Sequence, residues 1–339
     1  MDFILGQRNL MLKGLILSKF MPFHLGHIAL IDFAKMNSDI VDVLVCCETS
    51  EVIDSKTRYN WLKDYYNNDT QINLHLIEYK ESDLPSTSVS SIEVSRKWAD
   101  YLLEIGFQPD IIFSSEKYGD YLADFMKCSH KFYDEKRELI NISATQIRNH
   151  PFKYWEYLPE IVKPFFVFKI CIVGTESTGK STITQRLAEF YQTNFVSEVA
   201  REIVGKTDEV VFEDLIKIAE AHSNEIVNKS KNANKLLFID TDINITKSYS
   251  RYLFDKELLV NNEIISINKS DLYLFFTSDC QYVQDGTRLN QECRLELEES
   301  HKSLLQENNI EFIEVKGNFE EKYNTSLQII NSAIKYKYE

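Results

Sequence analysis

The sequence predicts two doubly wound α/β domains in tandem, each a parallel sheet with helices on both faces. Three observations carry that expectation. Short apolar runs of strand length alternate with longer amphipathic runs through all 339 residues, the rhythm of parallel strands joined by right-handed helical crossovers. At roughly 150 residues per domain, this length corresponds to two domains. Three of the six prolines, Pro151, Pro159 and Pro164, cluster around the aromatic stretch from Phe152 to Tyr157. Such punctuation marks a boundary, so the expected division is 1–150, a packed linker 151–164, and 165–339.

Each element follows from its pattern. In the first half the expected strands are Leu12–Leu17, Ile40–Cys47, Ile72–Tyr79, Asp110–Ser114 and Lys131–Tyr133, with helices near His27–Met36, Lys56–Tyr66, Ser91–Ile105 and Tyr118–Met126. In the second half they are Phe166–Val173, Asn194–Ser197, Leu236–Ile239, Leu272–Phe276 and Glu311–Val315. Helical periodicity falls near Lys180–Tyr191, Phe212–Lys229, Ile243–Phe254, Gln291–Gln306 and Glu320–Ile334. In such sheets ligands belong at the carboxyl ends of the strands.

Composition narrows the function. With 44% hydrophobic and 27% charged residues the chain is an ordinary globular one. Lys+Arg minus Asp+Glu is 38 − 52 = −14, which repels polyanions and argues against nucleic-acid or membrane-surface binding. Cys46, Cys47, Cys128, Cys171, Cys280 and Cys293 lack metal-ligand or C-x-x-C spacing, as befits free thiols in a reducing compartment. Asp2, Gln7 and Arg8 interrupt the N-terminal apolar stretch, and no window approaches the ~18 apolar residues of a membrane span. A soluble, cytoplasmic protein is expected.

The sharpest motif lies in the second half. Gly174-Thr175-Glu176-Ser177-Thr178-Gly179-Lys180-Ser181 satisfies G-x-x-x-x-G-K-[ST] after an apolar run and before the helical stretch that opens with Thr182. Its glycines let successive N–H groups point at a triphosphate where a helix dipole favours anions. Lys180 is expected to bridge the β- and γ-phosphates and Ser181 to hold Mg²⁺. The run Leu236 to Ile239 delivers Asp240 at its end, closely followed by Asp242, as a metal-linked or hydroxyl-accepting carboxylate requires; capping the next helix is the alternative, chiefly for Asp242. Glu198 and Arg201 are candidates for a substrate clamp or a helix-surface pair. Asp285-Gly286-Thr287-Arg288 reads as a turn whose Arg288 either closes on the transferring phosphate or stays at the surface.

In the first half, Lys19-Phe20-Met21-Pro22-Phe23-His24 leads from the first strand into Leu25-Gly26-His27 and a helix. Two histidines three apart fall on one side of a helix start, where ring nitrogens and amides meet phosphate oxygens. A metal site or core packing is the alternative for a histidine pair alone. Near the last strand of this half stands Ile142-Ser143-Ala144-Thr145-Gln146-Ile147-Arg148, in which Ser143 and Thr145 also suit a helix cap.

H-x-G-H together with I-S-x-T-x-x-R resembles the two signatures of the nucleotidylyltransferase superfamily. The resemblance implies attack on the α-phosphate of ATP with loss of pyrophosphate and no covalent enzyme intermediate. His24, His27, Lys19, Phe20, Ser143, Thr145 and Arg148 would hold the nucleotide, with Mg²⁺ assisting. A transferase half followed by a phosphate-loop half resembles the NadR family over almost the whole chain, as do Ser114 to Gly119, Asp240-Thr241-Asp242 and Asp285 to Arg288. That resemblance implies a nicotinamide mononucleotide adenylyltransferase first and a ribosylnicotinamide kinase second, with ATP as co-substrate of both and NAD as product. Catalytic roles would fall to His24, His27, Lys180, Asp240 and Arg288, and nucleotide binding to Gly174 and to Glu176 through Thr182. Asp240, Asp242 and Asp285 would contact the acceptor, and Trp98 and Tyr282 are the aromatic candidates to stack on the cationic nicotinamide ring. Where the family has a Trp before the D-G-x-R turn, this chain has Tyr282. Only about a dozen residues precede the first strand, too few for the family's regulatory helix-turn-helix, so no repressor role is expected. The implied partners are small molecules, with neither nucleic acid nor membrane, and a homo-oligomer is possible. Two other readings stay open: the same chemistries on a different small acceptor, and a nucleotide sensor.

Overall fold

The computed structural model describes residues 11–86, 91–204, 210–283 and 293–339, with Arg201 as backbone only. It divides into two compact units, one ending at Val162 and the other beginning at Lys163. In the junction region Phe152, Trp155, Leu158 and Val162 are all buried.

The first unit is a five-stranded, wholly parallel sheet. Its strands are β1 (Lys13–Ser18), β2 (Ile40–Glu48), β3 (Ile72–Tyr79), β4 (Ile111–Ser114) and β5 (Ser129–Phe132), in the order β3-β2-β1-β4-β5. Between them run α1 (Leu25–Lys35), α2 (Ser55–Tyr65), α3 (Ile92–Glu104) and α4 (Tyr118–Met126), and α5 (Ala144–Asn149) follows. Alternate residues Leu15, Leu17, Leu44, Cys46, Ile77 and Tyr79 pack on one face against Trp98, Ala99 and Leu102 of α3 and Leu122 and Ala123 of α4. The intervening Ile16, Val43 and Val45 are also buried. Both faces are therefore covered, which is why these strands read as continuous apolar runs.

The second unit repeats the architecture with another order. Its strands β6 (Phe168–Gly174), β7 (Phe195–Val196), β8 (Leu236–Asp240), β9 (Leu272–Phe276) and β10 (Ile313–Val315) lie as β10-β9-β6-β8-β7, all parallel. The helices are α6 (Lys163–Phe166), α7 (Lys180–Phe190), α8 (Ala200–Val204), α9 (Phe212–Ser230), α10 (Ile243–Phe254), α11 (Asn262–Asn268), α12 (Cys293–Glu307) and α13 (Phe319–Tyr338). Side-chain caps fix several starts: Asp242 for α10, Asn261 for α11 and Asn318 for α13. No helix among the described residues is long and apolar enough to cross a membrane.

In each unit the chain turns in opposite directions from one central strand, β1 or β6. A crevice opens beyond the carboxyl end of such a strand, and ligands bind there.

Candidate active sites

At the end of β1 the chain runs through Lys19 and Phe20 to His24, which caps α1. The His24 Nδ1 accepts the Gly26 N–H at 3.0 Å, so the neutral ring carries its proton on Nε2. Gly26 is needed there because a Cβ would stand 2.9 Å from His24 Cε1. His24 and His27 lie with ring centroids 3.9 Å apart, and His27 Nε2 is 3.1 Å from Ser18 Oγ. Burial first, then the Arg137 charge, lowers the His24 pKa to about 3. Burial, His24 and Arg137 depress His27 in the same direction. Both imidazoles are thus neutral hydrogen-bonding groups, and the positive charge of the site comes from Lys19, Arg137 and Arg148.

These residues line one cavity of about 350 Å³ together with Phe20, Ser143 and Thr145. Ser143 also caps α5: its Oγ accepts the Gln146 N–H at 3.2 Å, and its own N–H donates to Gln146 Oε1 at 2.9 Å. The Arg148 guanidinium donates to the Met21 carbonyl and, at 3.1 Å, to Thr145 Oγ1, pinning α5 to the loop after β1. Lys19 Nζ meets Glu51 at 2.7 Å. Arg58, fully buried, meets the same carboxylate at 2.7 Å and donates to the Lys19 carbonyl at 3.1 Å.

Sequence reasoning missed Arg137, Arg58 and Glu51. Arg58 left a trace, since it shares the buried face of α2 with Trp61 and Leu62 where a charge is costly unless paired. Arg137 left none: it is presented by a loop organised on Asp134, whose carboxylate accepts the N–H groups of Glu138, Leu139 and Ile140 at 2.7–3.2 Å. Trp98 is not brought into this cavity. It stands in the core, its indole N–H on the Pro85 carbonyl at 2.9 Å and its ring edge-on to Tyr79, because the period of α3 turns Ser95, Trp98, Ala99 and Leu102 inward together.

In the second unit Gly174 ends β6 at φ +141°, and a Cβ there would stand 2.3 Å from the Phe276 carbonyl oxygen; only glycine fits. Gly179, at φ +87°, caps α7, so Lys180 and Ser181 open its first turn beside the free N–H groups of the helix end. Lys180 Nζ donates to the Thr175 carbonyl at 2.8 Å. Gly174 and residues 176 to 182 line a second cavity of about 230 Å³. Its lining also takes in Glu198, Thr241 and Tyr249, the apolar Val199, Leu215, Ile218 and Ile245, and His222.

Asp240 is buried at the end of β8. Asp242 is likewise buried and is occupied as a cap: it accepts the Asn244 and Ile245 N–H groups at 2.9 and 3.2 Å and the Tyr273 hydroxyl at 3.2 Å, while burial raises its pKa. Neither aspartate is brought to the cavity wall. Tyr282 lies under the Arg294 guanidinium, 5.6 Å from its ring centroid. Asp285, Arg288 and the Arg201 side chain fall outside the described residues. His222 and Arg294 were missed. Arg294 donates to the Ser177 and Cys280 carbonyls at 3.1 and 3.0 Å, so α12 steadies the phosphate loop. The trace of His222 is a polar residue on the apolar face Leu215, Ile218, Ala219 of α9.

Comparison with known proteins agrees with this two-site geometry. A family model described as an AAA domain matches residues 169–322. The trifunctional NAD biosynthesis/regulator protein NadR of Escherichia coli (strain K12) is 31% identical over 332 residues, covering 92% of this chain and 80% of the relative. A crystal structure of NadR protein in complex with NR superposes with TM-score 0.76 at 20% identity over 95% of both chains. One in complex with NAD and AMP-PNP gives TM-score 0.76 at 20% identity over 96% of both. At that identity the two structures establish the fold.

Proposed function

The chain belongs to the NadR family, and on that premise we propose that it performs two ATP-dependent steps ending in NAD. One observation carries the reading: each sheet has its own anion cradle at its switch point, built by a phosphate loop in one unit and by the His24–His27 helix start in the other.

In the kinase step, assigned to residues 165–339, the 5′-hydroxyl oxygen of nicotinamide riboside attacks the γ-phosphorus of ATP. The bond to the bridging oxygen breaks, ADP leaves, and the hydroxyl proton passes to solvent water, since Asp240, the carboxylate expected as base, does not line the cavity. Lys180 and the loop amides hold the phosphates in line. The hydroxyl of Ser181, which lines the cavity, is a hard oxygen donor of the kind Mg²⁺ takes alongside phosphate oxygens and water. When bound, the ion neutralises charge on the phosphate oxygens. Tyr282, Asp285 and Arg288 are the remaining candidates for the acceptor end in this reading.

In the adenylyl step, assigned to residues 1–150, a phosphate oxygen of the mononucleotide attacks the α-phosphorus of a second ATP and pyrophosphate leaves. No group on the protein is covalently modified. Neutral His24 and His27 supply hydrogen bonds, while Lys19, Arg137 and Arg148 meet the charge that grows on the phosphate oxygens. The enzyme acts on small molecules in the cytoplasm.

Supplying nicotinamide riboside, ATP and Mg²⁺ to the purified chain is expected to yield NAD. Lys180→Ala stops at the riboside yet still converts supplied mononucleotide to NAD, and His27→Ala stops at the mononucleotide. A chain that leaves ATP intact with either pyridine substrate refutes the proposal.

A further inference from the structure

The motif Ser114 to Gly119 lines the first cavity through Ser115, Glu116 and Tyr118, and a chain of hydrogen bonds stands behind it. Asp120 Oδ1, on the first turn of α4, lies 2.8 Å from His130 Nδ1 of β5, and His130 Nε2 lies 2.9 Å from Ser114 Oγ at the end of β4. A carboxylate only accepts, so Asp120 takes the Nδ1 proton, which fixes the ring and turns Nε2 onto Ser114. Ser114 Oγ in turn donates to the Glu116 carbonyl at 2.7 Å and accepts the Glu116 N–H at 3.3 Å, closing the turn. The chain fits only because α4 presents a glycine to it: a Cβ on Gly119 would stand 2.2 Å from His130 Nε2 and 2.4 Å from Ser114 Oγ. Aspartate, histidine and serine in this order make up a hydrolytic triad, but Ser114 is 1% exposed and its hydroxyl is committed to Glu116. A hydroxyl so covered attacks nothing; what the chain of bonds does is hold the turn.

We propose that His130 is a positioning residue of the adenylyl step, holding the turn after β4 so that Arg137 faces the transferring phosphates. The inference rests on the adenylyl reading above and deepens it. Two contacts lead from the turn to the Arg137 loop. The Ser114 carbonyl accepts the Tyr133 N–H at 2.9 Å, directly before Asp134, on which that loop is organised, and Glu116 Oε1 lies 3.5 Å from Arg137 Nη2. Both side chains of that pair are about half exposed, and such a pair contributes little by itself. It steers Arg137 only where the Glu116 backbone is already fixed, and the bond from His130 to Ser114 fixes it. Arg137 is close enough to His24 and His27 for its charge to lower the pKa of both rings, so a shift of the turn is felt where charge grows on the phosphate oxygens. Displacing a group that stabilises that charge slows transfer more than it weakens binding of the ground state.

The test is steady-state kinetics of the full chain with nicotinamide mononucleotide, ATP and Mg²⁺, read as pyrophosphate release. An asparagine amide falls where Nδ1 stands and a glutamine amide where Nε2 stands. His130→Asn, which keeps the Asp120 bond and loses the Ser114 bond, lowers kcat about 3- to 10-fold, with both KM values changed less than about twofold. His130→Gln, which keeps a partner for Ser114, recovers most of the rate. Gly119→Ala, which drives a Cβ between Ser114 and His130, behaves like His130→Asn and carries the test if that variant does not fold. Tryptophan fluorescence reports folding of the first unit, which holds all three tryptophans, and riboside phosphorylation in the same preparation stays unchanged. Because His130 acts through Arg137, His130→Asn adds no loss to Arg137→Ala, whereas independent effects would multiply. An unchanged kcat in His130→Asn and Gly119→Ala, a His130→Gln no faster than His130→Asn, or losses that multiply with Arg137→Ala overturns the proposal. An unaltered chain that ignores the mononucleotide but joins ATP to another phosphate acceptor overturns the substrate reading alone, and His130 is then judged on that acceptor; one that joins it to none overturns both.

Discussion

Acid is expected to weaken the first unit through His24. The ring is 6% exposed, and burial with the Arg137 charge holds its pKa at about 3 in the folded chain, against about 6.5 unfolded. Its place as the cap of α1 adds the positive end of a helix dipole to what a proton would face. Between those two values the unfolded chain binds a proton that the folded chain does not, so stability falls as pH drops below about 6.5. From pH 7.5 to pH 5 the loss from this one group is about 2 kcal/mol, the unfolded chain gaining RT ln(1 + 10^1.5) at the lower pH. The assay is selective because Trp61, Trp98 and Trp155, the three tryptophans of the chain, all belong to the unit that ends at Val162. Urea unfolding followed by tryptophan fluorescence at the two pH values is compared with His24→Asn, whose side-chain oxygen can still accept the Gly26 N–H but does not titrate. The unaltered chain should lose about 2 kcal/mol more than the variant. Losses equal within about 0.5 kcal/mol would refute the neutral, buried His24 on which the adenylyl site is built.

Two further outcomes follow from the sites. Arg137→Ala should slow pyrophosphate release from ATP and mononucleotide about 10- to 100-fold while leaving riboside phosphorylation alone, since one cation facing the transferring phosphates is lost; an unchanged rate removes Arg137 from the site. Gly174→Ala forces a side chain onto φ +141° and its Cβ to within 2.3 Å of the Phe276 carbonyl oxygen. It should cost about 3 kcal/mol or more, lower the melting temperature of the second unit by roughly 6–12 °C in calorimetry, and abolish the kinase step; a thermogram like that of the unaltered chain contradicts this.

Much of the architecture was legible because a strand covered on both faces reads as an unbroken apolar run. The expected Ile72–Tyr79 and Leu272–Phe276 coincide with β3 and β9, and Leu12–Leu17 differs from β1 by one residue at each end. What escaped were α6, α8 and α11, four, five and seven residues long, too short to show a helical period, and the strand orders, which are set by how crossovers pack rather than by any local pattern. The site divides the same way. Glycines, the phosphate-loop lysine and the histidine pair are legible because their backbone roles demand a spacing. Arg137 and His222 are not, since each meets its site only once strands distant in sequence have paired; and the α3 period that makes Trp98 conspicuous is the one that turns it into the core.

The central position of β6 has a consequence for the order of events in the second unit. Ile170 to Val173 have no exposed surface, and neighbours flank the strand on both sides, whereas the two-residue β7 is an edge. Local opening starts at edges and reaches the centre last. Transient fraying therefore loosens β7 while the mount of Gly174 stays rigid, so the phosphate loop keeps its shape through fluctuations that release the margin of the sheet.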